Sequence, residues 1–567
     1  MAEFEPIPYR IRIGVTGHRK MDDPSAMQAV VNVALDAEIP QLFTEESRAR
    51  IERVRAAGTT PISFRVLSPL AEGADRVVAR AVLDLPGARL DAVLPLTVED
   101  YLEDFATAES RQEFHTLLAL SRRPAMLRTR RIRDERHDPG DQAELRKDAY
   151  RKVGEYVVDH CDVLVAVWDG EPARGKGGTA EIVHYALEQG RPVIRVWQGT
   201  YEVLNRESSN GLDASALDGI DRFNLRPITD RQRKIYAGNL EQDFFAKPKG
   251  ADAIPAGTRA MVNRWLFPYY AQASIVAKQS RDAFHRAGRN IYVLSAAAVG
   301  CAATGVLFPG LAAAGFGTEL VLLIIILVTL GQARRTHAHQ AWIENRFLTE
   351  RIRAGIFMAI CGVEPRPIAV LPYMGHSQTV NDWTVRVFDE IWDRLPPLVR
   401  CSESECTLRN GYVRGAWIGD QIKYNKGKQQ REGRMRRLLA RASAVVLPAT
   451  LAAAVLHLLL LLWEPGAGAA ERLRLMHRAA HQGLAFAALL FPAIAASLAG
   501  MEAHREHLRL EKRSANMAPQ LELVNRQMAS ATDPERFESL LQQVDELMLR
   551  ETQDWLMLMR YVEIKAS

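Results

Sequence analysis

Three short stretches set glycines beside groups that bind anions: IGVTGHRK (13–20), SPLAEGADR (68–76), and WDG followed by RGKGGTAE (168–170 and 174–181). In the first, Gly14, Thr16 and Gly17 close an apolar run, and glycine there lets backbone amides come close to a ligand. His18 and Arg19 follow, and the planar Arg19 fork suits a phosphate or carboxylate; the alternative is a plain strand-to-helix turn with solvated charges. In the second, Ser68 ends a run and Gly73, Ala74 and Asp75 open a helix whose free amides attract negative charge. Asp75 can equally be an acid that complements the helix dipole. In the third, Gly175, Gly177 and Gly178 form a turn, and Thr179 is placed to cap the next helix and bond a phosphate. Glu181, in the first turn of that helix, reads as a ribose ligand, a general base, or simply a favourable acid near the helix start. Asp169, with Gly170 behind it, is a ribose- or water-positioning group.

These residues need a scaffold that brings distant turns together. Between residues 11 and 197 short β-branched runs alternate with amphipathic windows, the pattern of an α/β domain with a parallel sheet. Five strands are expected, at 11–17, 62–70, 89–96, 162–170 and 191–197, nearly continuous in apolar residues because both faces are covered. Helices are expected at 25–37, 72–84, 107–120, 141–160 and 179–189. The stretch 121–141 is too charged to bury and reads as a mobile surface segment. Strand ends in a doubly wound sheet converge on one edge, where such sheets bind ligands. Residues 201–260 lose this rhythm and read as a linker or accessory segment.

Downstream lie four apolar runs, at 290–308, 311–330, 440–463 and 483–500. A helix needs about 20 predominantly apolar residues to cross a bilayer, and these runs approach or reach that length. The rival reading is a buried helical bundle. Arg281, Arg286 and Arg289 precede the first run, and Arg334 and Arg335 follow the second. Arg431, Arg434, Arg436, Arg437 and Arg441 precede the third; Arg505, Arg509, Lys512 and Arg513 follow the fourth. The bias of Lys and Arg toward the cytoplasmic side makes both hairpins start and finish in the cytoplasm. Arg472, Arg474 and Arg478 in the second hairpin loop weaken that bias. The hairpins also look like a repeat, each entered near a tyrosine (Tyr270, Tyr424) and each closing on Asp-Trp (382–383, 554–555). The units are accordingly placed at 10–200, 261–395 and 424–567, with linkers at 201–260 and 396–423. Pro448 and Pro492 lie at similar depths in spans three and four, where a proline favours a kink.

The composition limits the choices further. The chain has 567 residues and a net charge of +5, and its Lys and Arg cluster beside apolar runs with little aromatic interleaving, which argues for membrane flanks and against nucleic acid. Its five cysteines lack metal spacing and imply a reducing compartment without a disulfide framework. MAEFEPIPYR is unlike a secretory signal, so the N-terminal part is expected to stay in the cytoplasm. His337 and His339 have no further ligands nearby, and no metal is expected. His457, inside an apolar run, is a candidate for a pore lining.

GVTGHR, EGADR and VAVWDG followed by GKGGTAE resemble the SLOG superfamily over about residues 10–200, and the hairpins with their flanking helices resemble tandem SLATT domains over about 260–567. The resemblance implies a Rossmann-like domain that binds a nucleotide or nucleotide-derived ligand, joined to an α-helical membrane domain. It maps ligand loops onto Gly14, Thr16, Gly17, Gly73, Gly177, Gly178, Thr179 and Glu181. It further implies an oligomeric, pore-forming effector of the bacterial inner membrane in conflict systems such as phage defence. The chain lacks the Met-His-x-x-Arg-Lys segment of the hydrolytic LOG branch. Two other readings remain: a membrane-tethered N-glycosidic hydrolase or transferase using Glu181 or Asp169, and a passive nucleotide-binding scaffold. The charge bias predicts that cysteines introduced near residues 312 or 470 are labelled from outside intact cells, whereas Arg174→Cys is not; the reverse pattern would overturn this topology.

Overall fold

The structure is a computed structural model that describes residues 4–121, 124–127, 139–172, 177–205, 212–225, 228–365, 382–463, 471–505, 507–531 and 533–560. The described residues form two compact units, one within 2–227 and 367–398, the other within 228–366 and 399–567.

The first unit is built on a seven-stranded sheet. Its strands are β1 (Tyr9–Gly17), β2 (Ile62–Ser68), β3 (Arg89–Leu94), β4 (Ala125–Met126), β5 (Val163–Val167), β6 (Val193–Trp197) and β7 (Thr200–Leu204), in the order β4-β3-β2-β1-β5-β6-β7. All neighbours are parallel except β6 and β7. The five expected strands are present within one or two residues at most ends. β4 and β7 are additions. β4 is only two residues long and lies in the stretch read as a mobile segment, most of which (122–123 and 128–138) falls outside the described residues. β7 opens the region read as a linker. It pairs back on β6 because Gln198 and Gly199 both take positive φ (47° and 80°), the twist that a two-residue hairpin requires.

Helices α1 (Pro24–Leu42), α2 (Glu45–Ala57), α3 (Ala74–Leu83), α4 (Val98–Tyr101), α5 (Ala108–Leu120), α6 (Pro139–His160), α7 (Thr179–Glu188) and α8 (Ser215–Leu225) complete the chain order of this part. Successive residues of β1 point to opposite faces. The position of a side chain at Gly14 is filled by Val157 of α6 and Cys161 just beyond it, and that at Gly17 by Ala74 of α3, so helices cover both faces. The sheet is doubly wound.

One further helix belongs to this unit. α14 (Trp383–Trp392), which the sequence reading groups with the first membrane hairpin, packs against α8 and carries acids to the strands. Arg10 and Arg65 reach Glu390 at 2.8 and 2.5 Å, and Arg65 also meets Asp393 at 2.6 Å and Asp91 at 2.8 Å. Arg386 of α14 binds Asp162 at 2.6 Å, and its other nitrogen donates to the Arg10 carbonyl at 2.9 Å. Burial alone would raise the Glu390 carboxyl, but Arg65, Arg10 and Arg89 hold it below its ordinary value. The buried helix residue Trp383 closes on Gly219 of α8, where any added side-chain carbon would lie 2.2 Å from the indole.

The second unit is helical: α9 (Asp230–Glu241), α10 (Ala256–Trp265), α11 (Phe267–Leu307), α12 (Ala312–Arg335), α13 (Ala338–Cys361), α15 (Glu403–Val413), α16 (Asp420–Leu462), α17 (Glu471–Arg505), α18 (His507–Ala529) and α19 (Pro534–Arg560). Four stretches are long and apolar enough to cross a membrane, Phe267–Leu307, Pro309–Cys361, Glu403–Leu462 and Glu471–Ala529. Between 6% and 28% of their most apolar windows is buried, which weighs against the buried-bundle reading within this chain. Leu327, Val445 and Leu462 are 67%, 69% and 78% exposed, and lipid is the solvent that suits such a surface. Hairpin α11–α12 closes tightly because Gly315 lies against Cys301 and Gly305, a small-residue contact of the kind membrane helices use. α16 and α17 run on through Pro448 and Pro492 without a break in either helix.

Replacing Glu390 by Ala leaves Arg65 and Arg10 without their shared buried partner. The expected loss is about 3–5 kcal/mol of stability in the α/β unit, seen as earlier denaturant unfolding of that unit in the full chain; a change below about 1 kcal/mol would show that Asp393 and Asp91 suffice.

Candidate functional site

The sheet order reverses between β1 and β5: the chain passes from β1 to β2 on one side and reaches β5 on the other. Beyond the carboxyl ends of two such strands the helices diverge and leave a crevice. A cavity of about 400 Å³ occupies this place, lined by Thr16, Gly17, His18, Arg19, Asp75, Asp169, Gly177, Gly178 and Thr179 among others. Nine of the sequence candidates thus meet at one site.

Local bonds hold these loops together. The His18 amide donates to the Val167 carbonyl at 3.0 Å, and the His18 carbonyl accepts from the Ala74 amide at 3.0 Å. The second bond takes the first amide of α3, so that helix start is engaged within the protein and is not the open anion site expected there. Gly73 makes this possible: it has φ +81°, and a side-chain carbon on it would lie 2.4 Å from the Arg19 carbonyl. α7 is the open one. Gly178 is its N-cap residue and no side chain caps it, so Thr179 begins the helix and does not cap it as expected. Its first amides, Gly178 to Ala180, have no acceptor among the described residues.

The other candidates are occupied elsewhere. Gly14 lies under α6. The Ser68 hydroxyl donates to the Asp75 carbonyl and accepts from the Leu70 amide, both at 3.1 Å, which holds Leu70 at its positive φ. Gly170 packs against Arg195, whose guanidinium donates to the Asp169 carbonyl at 2.8 Å. Glu181 accepts from the Gly177 amide at 2.6 Å and so braces the glycine turn. Gly175 lies outside the described residues.

Within the cavity, Arg19 stands 5.2 Å above the Tyr150 ring and 3.8 Å from Asp104, itself held by Arg146 at 2.6 Å and by the Tyr150 hydroxyl. His18 Nε2 is 3.1 Å from the Asp169 carboxylate and 3.2 Å from the Asp169 amide. A protonated ring donates to the former, and a ring with a free lone pair there accepts from the latter. Asp75, 6% exposed, accepts from the Ala71 amide at 3.1 Å. Burial pushes its carboxyl up to about 7, opposed by that amide and by Arg19 and Arg76. Beside it Tyr101 is fully buried and its hydroxyl has no partner among the described residues. Burial, and then the charge of Asp75, push its phenol well up. The lining offers groups for an anion, Arg19 and the α7 amides, and weakly acidic groups able to hydrogen-bond an uncharged group, Tyr101 lying 6.1 Å from the Tyr150 ring beneath Arg19.

The sequence reading missed Tyr101, Tyr150 and Trp168 as lining residues. The only signal for Tyr101 was its spacing to Phe105, against which it packs at 5.1 Å between ring centres. His339 Nε2 donates to the Met559 carbonyl, 2.6 Å away, and the ring lies against Phe284, a packed position. His457 meets His481 of α17 across 3.1 Å. No family model matches the chain, and no curated protein or solved structure is significantly similar to it.

Because the folded Asp75 stays protonated where the unfolded one has ionised, stability contributed at this site falls as pH rises from about 4 to about 7 and then levels. Asp75→Asn, which keeps an acceptor for Ala71, is expected to unfold later than the parent at pH 8, by an amount on the order of a few kcal/mol, and to lose that advantage at pH 4. Unfolding midpoints of both proteins across this range check it; a constant difference would mean that Asp75 is ionised in the fold.

Proposed function

We propose that the chain is a membrane effector controlled by a nucleotide or nucleotide derivative, which the α/β unit binds and the helical unit answers by opening a path through the membrane. The observation that carries this reading is the cavity at the β1–β5 reversal, with an uncapped helix start and an arginine in its lining, in a chain that also has four apolar helices. Its volume falls within the ordinary range for small-molecule sites. Phosphate fits the amides of α7 and the Arg19 fork. A base or sugar fits the buried Asp75 and Tyr101, where a further ionised group would be costly to bury.

The resemblance of the three glycine stretches to SLOG domains, and of the hairpins to SLATT domains, supports the same reading and adds its setting: an oligomeric pore of the bacterial inner membrane, acting in conflict with phage. Four spans per chain are few for a transporter, so a path shared between subunits is the economical arrangement. The positive flanks support an orientation with the α/β unit and both hairpin bases in the cytoplasm.

A second reading, N-glycosidic cleavage, draws on Asp75, whose carboxyl at about 7 is suited to give or take a proton near neutrality, and on Asp169 beside His18. Glu181 is less suited, because it already holds the Gly177 amide. The two readings part in one assay. Gly178→Trp places an indole where phosphate would sit and is expected to abolish nucleotide binding by calorimetry while the protein stays folded. Parent protein incubated with nucleotides is expected to release no free base and, in vesicles, to release dye on nucleotide addition. Base release would favour the enzyme, and unaltered binding by the variant would remove the site.

A further inference from the structure

The helical unit holds a cavity of about 1010 Å³ that no part of the reading above uses. Its walls come from α9, α11, α13, α16 and α19. Eight Lys and Arg side chains line it against five Asp and Glu. The acids are already engaged: Asp243 with Lys247 at 2.7 Å, Asp420 with Arg353 at 2.9 Å, Glu350 with Arg353 at 3.9 Å, Asp545 with Arg351 at 2.8 Å, and Glu551 with Arg513 at 2.8 Å. Of the eight cations Arg281 has its own partner outside the walls, Asp282 at 2.8 Å, so the positive excess rests on the others. Among the described residues no carboxylate pairs with Lys278 of α11 or Lys423 of α16; the Lys278 ammonium bonds only the Tyr236 hydroxyl, at 3.0 Å. Nine aromatic side chains share the walls, among them Trp342, Trp417 and Trp555, and Arg346 already lies 4.5 Å above the Trp555 ring.

Lipid headgroups are one source of negative charge, and distance argues against them. At 1.5 Å per residue, Lys278 lies about 18 Å along α11 from the first apolar run, and Lys423 about 26 Å along α16 from the third. The headgroup layer is only about 5–8 Å deep on each side of the bilayer. The occupant must come from water.

We propose that this cavity is a second ligand site, for a soluble anion that carries an aromatic or other flat ring, held by the unpaired lysines of α11 and α16 beside Tyr236 and Tyr424, two aromatics of its walls that are not buried. α11 and α16 each continue unbroken from this cavity into an apolar run, so such a ligand bridges two helices that lead into the membrane. The site is separate from that in the α/β unit and stands or falls independently of it.

Pyridoxal 5′-phosphate is a fitting probe, being a phosphorylated ring whose aldehyde condenses with a lysine amine, with loss of water, to an imine that borohydride reduces to a stable amine. With the full chain in lipid nanodiscs and limiting probe, peptide mapping is expected to find Lys278 and Lys423 labelled at least about tenfold more than lysines outside the cavity such as Lys152. Phenyl phosphate is expected to suppress this labelling at concentrations where inorganic phosphate does not. Arg346→Gln, checked for unchanged thermal unfolding, is expected to lower it severalfold. Labelling spread evenly over exposed lysines would overturn the site, and equal protection by inorganic phosphate would overturn the ring requirement. Protection by anionic lipid vesicles alone, without phenyl phosphate, would assign the charge to headgroups.

Discussion

Arginines on a central strand cannot be buried alone. Arg10, Arg12 and Arg65 lie on β1 and β2 with 6% to 8% exposure, and the cost of desolvating a guanidinium is met only where carboxylates come to it. β1 and β2 supply no such partners on that face. Asp162 at the start of β5, Asp91 on β3 and the acids of α14 do, and Arg65 and Glu390, 325 residues apart, form the centre of the network. The first unit consequently cannot be completed by the first 227 residues; it waits for a helix that the chain makes after its first membrane hairpin.

That requirement also shapes the site. With one face of β1 committed to charge pairing near its start and to close helix packing at Gly14, the strand's carboxyl end is free to serve the crevice with Thr16 and Gly17. Rigidity there comes from backbone bonds: His18 is tied to β5 through Val167 and to α3 through Ala74. One helix start is consumed in making the floor, and the other, at α7, stays open. The division explains why two glycine-bearing turns of similar sequence character end in different roles.

The helical unit follows another rule. The side chains of its most apolar windows point mainly outward, while Ile352, Ile356 and Leu541 are buried elsewhere in the unit, which also holds a cavity lined by charges and aromatics between long helices. The Arg351–Asp545 pair, buried on both sides, links α13 to α19 as Glu390 links α14 to the sheet. In both units a buried ion pair joins segments far apart in sequence, and removing one partner costs more than the pair contributes.

Local signals in the sequence determined a good deal. Continuous β-branched runs announce doubly covered strands, glycines at strand ends announce turns, and runs of about 20 apolar residues announce spans, because each property is carried by neighbours within a few residues. The five parallel strands, the four long apolar helices and the meeting of Thr16, Gly17, Asp169, Gly177 and Gly178 at one edge were legible for that reason. Tertiary structure decided the rest. Whether Glu181 faces a ligand or the Gly177 amide, whether the Ala74 amide is free, and whether Tyr101 lines a cavity depend on packing angles that no period encodes. The short β4 and β7 form because an adjoining strand offers an unpaired edge. The place of α14 is the clearest case: its periodicity makes it a helix, but only the arginines of β1 and β2, hundreds of residues earlier, say which surface it must cover.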